Sequence, residues 1–184
     1  EPVPVSDVDR VRYLRQSRYC EADRLGPTAD EEFAGLEGVP LLAAVVEWVN
    51  QRISYVSGSS TGTDSALDTL LARRGVCRDF AHLPIALLRA RGIPARLASV
   101  YAPGLYPMEF HAVAEALVDD SWWVVDATKH APRQSLVRVA TGRDAADTAF
   151  LTSFGSAVDL IALEVTAVAE DFAVDDHVVL TQLR

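Results

Sequence analysis

The sequence predicts an α+β domain, with helices packed on an antiparallel sheet, and three stretches carry that prediction. Residues 77–91 keep apolar side chains at helical spacing, with Leu83, Leu87 and Leu88 recurring and Gly92-Ile93-Pro94 as the stop. Residues 109–118 and 122–128 read as two strands, and Asp119-Asp120-Ser121 between them reads as a tight turn. Residues 41–53, with Leu41, Val45, Trp48 and Val49, read as an amphipathic core helix in which Trp48 serves packing.

The remaining elements follow in order. Residues 1–40 are expected to form an N-terminal arm packed on the core, and residues 41–184 the domain proper. Ser6-Asp7 caps a short helix through Arg15, and Thr28 to Phe33 reads as another helix start with acidic residues in its first turn. Ser57 to Thr63 is a small polar loop. No Gly-Lys-Ser/Thr follows it, so a surface loop is favoured over a phosphate cradle. Asp64 or Ser65 then caps a helix over 66–73. After the central helix, Ala95 to Tyr101 reads as a strand, and Pro103 to Pro107 as a loop overhanging a cleft. Lys129 to Gly142 reads as a connection, and residues 158–169 and 174–183 as two closing strands around an acidic turn at Glu170-Asp171.

The central helix brings a cysteine to its first turn, in Gly75-Val76-Cys77-Arg78-Asp79-Phe80-Ala81-His82. Free N–H groups and the positive dipole end of a helix favour a thiolate there, and Arg73, Arg74 and Arg78 add positive charge. A nucleophile needs a base and an orienter. His111 lies on the first strand of the hairpin and Asp126 on the second. Strand parity makes this testable: a two-residue loop at Asp119-Asp120 sets Asp126 opposite Val113, with His111 as its diagonal neighbour, whereas an odd loop separates the two side chains onto opposite faces. His82 is the competing base, but five helical positions turn it roughly 140° from Cys77, which favours a structural role with a place in the cleft left open. Asp79 reads as a first-turn charge, and Tyr55 as a hydroxyl near the cleft. His82, His111 and His130 match no zinc-ligand spacing, and no calcium loop is present.

Cysteine at a helix start, then histidine and aspartate on adjacent strands, resembles the transglutaminase-like superfamily. The stretches that carry the likeness are Gly75 to His82 with Arg91-Gly92-Ile93-Pro94-Ala95-Arg96, His111-Ala112-Val113, and Val125-Asp126-Ala127-Thr128. They are most similar to the bacterial branch, whose members are often provisionally labelled cysteine proteases, over roughly residues 41–155. The resemblance implies a papain/transglutaminase-like fold, with Cys77 as nucleophile, His111 as base and Asp126 as orienter. It further implies a thioester formed from peptide or isopeptide amides. The backbone N–H of Cys77 is the candidate oxyanion donor, and no cofactor is called for. A catalytically idle domain of the same fold, kept for binding, is the alternative. Arg143-Asp144 resembles a Gly-Arg-Asp turn of the bacterial branch, and the arm resembles a linker leaving an upstream β-domain. Val113 stands where the bacterial relatives often carry Trp, which points to a changed cleft wall.

Composition bounds the partners. At 184 residues and 49% hydrophobic, the chain has room for one sizeable core. A net charge of −9 argues against nucleic acid or an anionic membrane surface as partner, and no apolar run reaches the length of a membrane span. A peptide or protein substrate remains, with oligomeric state open. Two cysteines, Cys20 and Cys77, permit one disulfide, but Cys20 reads as structural. The chain opens on Glu1, so an upstream piece is expected to have been removed. The compartment is left open, with the cytoplasm favoured.

Overall fold

A computed structural model of the chain describes residues 5–156, 158–172 and 174–183. Three helices come first: α1 (Asp7–Leu14), α2 (Ala22–Glu32) and α3 (Gly38–Arg52). The two-residue strand β1 (Ser54–Tyr55), helix α4 (Ala66–Ala72) and the two-residue β2 (Arg74–Gly75) lead into the central helix α5 (Cys77–Ala90). The sheet follows as β3 (Ala95–Tyr101), β4 (Phe110–Val118), β5 (Ser121–Val125) and β6 (Val137–Gly142), in spatial order β5-β4-β3-β6 and antiparallel throughout. The predicted fold class is the one observed.

Local chemistry explains the boundaries. Ser6 Oγ accepts the Asp9 N–H at the start of α1, and Ser65 with Asp68 forms a reciprocal capping box on α4. Arg73 ends α4 in the left-handed conformation. The β4–β5 turn consists of Asp119 and Asp120, both at positive φ, which is the turn that matches strand twist in a two-residue hairpin. Val118 therefore pairs with Ser121, and Ala114 with Val125.

The sheet has two buried faces. On one, α5 contributes Leu83, Ile85 and Leu87 to a core shared with α2, α3 and the sheet residues Leu97, Ala114 and Ala116. On the other, Ala98, Val100, Val113 and Val124 pack under Leu136 and Leu183. Phe33 and Leu25 of the arm belong to the first core, and α3 runs through position 40.

Four expectations are corrected. Helix α2 starts at Ala22 rather than at Thr28: Ala22, Leu25 and Ala29 recur on its buried face, and that packing carries the helix past Pro27, which leaves the Asp23 carbonyl without its helical N–H. Residues 137–142 are a strand rather than a connection: they pair with β3 through a bulge between Ser99 and Val100. Residues 158–169 and 174–183 form no strand among the described residues. The edge strands β5 and β6 gain no ladder from them among the described residues; the tail meets the β5 edge through the Val124 N–H on the Thr181 carbonyl at 2.8 Å. Finally, Val113 packs into the second core and does not line the cleft.

Candidate active site

The start of α5 is shaped by two residues that carry no reacting group. Asp79, at the third helical position, reaches back to accept the Val76 N–H at 2.8 Å. Its carboxylate lies so close to Gly75 that a Cβ there would sit 2.6 Å from the Asp79 Cβ, so the approach requires glycine. Cys77 then takes the first helical position, half-buried, with its thiol free. Strand β1 runs parallel to β2, with Tyr55 paired to Gly75, which carries the Tyr55 ring to the same spot.

The hairpin supplies the other groups. Extending the β4–β5 register by one pair sets Asp126 opposite Val113, so His111 is its diagonal neighbour, as strand parity requires. His111 Nε2 lies 3.5 Å from Asp126 Oδ2 and 3.5 Å from Thr128 Oγ1. The Cys77 sulfur lies near the ring and lines the same cleft, close enough to help raise the imidazole pKa. The other Asp126 oxygen accepts the Thr128 N–H at 2.9 Å and the Thr128 hydroxyl at 2.7 Å. Asn50 Nδ2 donates to the Ala127 carbonyl at 2.8 Å, tying the strand end to α3.

The charges support one another. Burial disfavours an imidazolium at His111, but Asp126 and the Cys77 sulfur outweigh it and raise the pKa to about 10. Burial likewise opposes a charge on Asp126, but His111 and then Thr128 hold its carboxyl below the usual range. Burial, followed by the Cys77 sulfur, pushes the Tyr55 phenol up to about 12, so it remains an O–H donor at neutral pH. A cleft of about 430 Å³ opens on Cys77 and His111, walled by Arg18, Tyr19, Arg78, Phe110 and residues 145–146 and 148–152.

Residues 37–127 match the sequence profile of the transglutaminase-like superfamily. The chain belongs to the transglutaminase-like superfamily. This transglutaminase-like chain is similar in structure to a Cytophaga hutchinsonii protein whose cysteine-protease designation is provisional. The TM-score is 0.81 at 42% identity, over 90% of this chain and 61% of that one. It is also similar to the periplasmic domain of TgpA from Pseudomonas aeruginosa, solved with ethylmercury bound: TM-score 0.56, 28% identity, 69% of this chain and 51% of that domain. An uncharacterized protein of Mycobacterium leprae is 33% identical over 143 residues, 70% of this chain. The chain spans about half the length of that relative, which is 50% covered.

The transglutaminase-like domain thus brings Cys77, His111, Asp126 and Tyr55 together and leaves His82 elsewhere. His82 is buried under the cleft wall, accepting the Ala145 N–H on Nε2 at 3.1 Å and stacking on Tyr19. Burial drives its pKa down to about 3, so it is neutral. Cys20 is unpaired and wholly buried in the main core, its thiol raised first by that burial. The Pro103–Pro107 loop does not line the cleft; Gly104 abuts Phe172 and Pro132 instead. Among the described residues, no group of three His, Cys, Asp or Glu side chains is placed to hold a metal, and no helix is long and apolar enough to cross a membrane. Sequence reasoning missed Thr128. Its signal was present, since a threonine two residues after an aspartate at a strand end can close on the carboxylate in a local turn.

Proposed function

We propose that this transglutaminase-like domain cleaves peptide or isopeptide amides through a thioester on Cys77. The reading is supported by one observation: Cys77 and His111 line the same open cleft, and the Asp126 carboxylate lies 3.5 Å from the His111 ring. The Cys77 proton passes to His111, and the sulfur attacks the amide carbonyl carbon. The negative charge that develops on the carbonyl oxygen falls to the backbone N–H of Cys77, at the free end of α5, and to the Tyr55 hydroxyl. Removal of one such donor costs on the order of 3 kcal/mol of transition-state stabilisation. The tetrahedral species collapses, the C–N bond breaks, and His111 gives its proton to the departing amine. Water then attacks the thioester carbonyl while His111 takes a proton from it, and the sulfur leaves. An amine in place of water gives acyl transfer by the same steps. Asp126 holds the ring and offsets its charge throughout.

The 3.5 Å separation of His111 from Asp126 is long for a hydrogen bond. Such contacts tighten when substrate closes a site, so the length is compatible with the role. The test is turnover of a peptide and glutamine-donor library by wild type and Cys77→Ala. The account expects the variant to lose at least about 10³-fold in rate. Retention of activity by the variant places the chemistry on another group. Absence of both turnover and acyl adduct in the wild type assigns the domain to binding. Ethylmercury, found on the Pseudomonas domain, is a soft thiol reagent and suits as a direct stain of Cys77.

A further inference from the structure

The chain carries a net charge of −9, yet among the described residues no carboxylate lines the cleft, while Arg18 and Arg78 do. Both share the cleft with the sulfur. Arg78 directly follows Cys77, and its guanidinium is fixed by Ser60 Oγ and the Thr61 carbonyl, each at 2.6 Å. Part of its charge is answered by Asp79 at 3.4 Å. Arg18 lies 5.4 Å from the centre of the Tyr19 ring, exposed, and forms no ion pair among the described residues. Another part of the lining is apolar: Phe110 stacks on Phe150 at 5.9 Å, and Leu151 lines the cleft with them. An acidic protein that keeps its cleft free of acids and places an unpaired cation there has one local field opposite to its global one.

We propose that the cleft selects acyl donors carrying a carboxylate beside the scissile amide, held by Arg18 with Arg78, together with an apolar residue, held by Phe110 and Phe150. The carboxylate comes from an Asp or Glu side chain or from a chain terminus. The proposal rests on Cys77 as the nucleophile, but its test does not depend on turnover.

Iodoacetate and iodoacetamide differ by one charge and alkylate the same sulfur. Their rates on Cys77 in the full chain, located by peptide mass spectrometry, give a ratio that reads the field at the sulfur, with glutathione as the free-thiol standard. The proposal expects a ratio above that of glutathione, a fall of about threefold in Arg18→Gln, as suits one exposed charge pair, and a decline with added salt as screening shortens the range. A ratio equal to that of glutathione, or one unchanged in Arg18→Gln, overturns it. Protection of Cys77 from iodoacetamide separates the two sources. An amidated peptide with an internal Glu reports a side-chain carboxylate, and its Gln counterpart with a free C-terminus reports a terminal one. If neither protects better than the amidated Gln peptide, the acyl-donor assignment is wrong. Failure of the amidase reading alone leaves the alkylation ratio intact.

Discussion

Asp126 spends one oxygen on Thr128 and keeps the other for His111, and this division sets the pH behaviour of the site. Asp126→Asn removes the charge that holds His111 up, so the alkaline limb of kcat/KM, expected near 10, moves toward the ordinary histidine range near 6.5. A rate loss of about 10³–10⁴-fold accompanies it, as for an orienting carboxylate elsewhere. A full pH–rate profile of both proteins checks the shift, and an unmoved limb rejects it. Stability carries the same sign. The folded His111 pKa lies above its unfolded value, so its contribution is complete below about 6.5 and declines as pH rises through about 10. Thr128→Val frees the second oxygen to rotate and should lower kcat by about tenfold with KM little changed, measured by steady-state kinetics. The positions of His111 and Asp126 were legible in the sequence because parity across a two-residue turn leaves one arrangement. Thr128 was not, because its role depends on how the chain turns after β5 ends.

At the scale of elements, the start of α5 is the piece that must not shift. Gly75→Ala drives a methyl into Asp79 and should cost about 1–3 kcal/mol, with the loss of the Val76 cap, and slow Cys77 labelling as well. Urea unfolding and alkylation rate measured on the same variant test both halves; a change in neither contradicts the close approach. Helix α5 itself was readable because its apolar spacing, cysteine and terminal glycine agree. Strand β6 was missed because its burial alternates only weakly and a 3₁₀ turn at Arg133–Ser135 precedes it. The tail failed in the opposite sense. Ile161, Leu163 and Val165 alternate like a strand, but pattern alone cannot say whether the chain reaches a sheet edge.

Over the whole molecule, the family match ends at 127, but the domain does not. Strand β6 completes the sheet beside β3, and residues 145–146 and 148–152 wall the cleft. A chain cut after 127 should therefore lose cooperative thermal unfolding, followed by circular dichroism; a sharp transition in the truncated chain contradicts this. The sequence announced an α+β domain because its strongest local signals, one central helix and one hairpin, lie at the centre of the fold. The charge pattern of the cleft was hidden, since Arg18 and Arg78 meet only once the arm is folded against α5.

The central claim is that His111 draws the proton from Cys77. Its most direct test is the rate of Cys77 alkylation by iodoacetamide at pH 6, in wild type and His111→Gln. The account predicts that the wild-type sulfur reacts far faster than glutathione at that pH and that the variant falls to the free-thiol rate. A wild-type rate equal to that of glutathione, or a variant as reactive as the wild type, contradicts it.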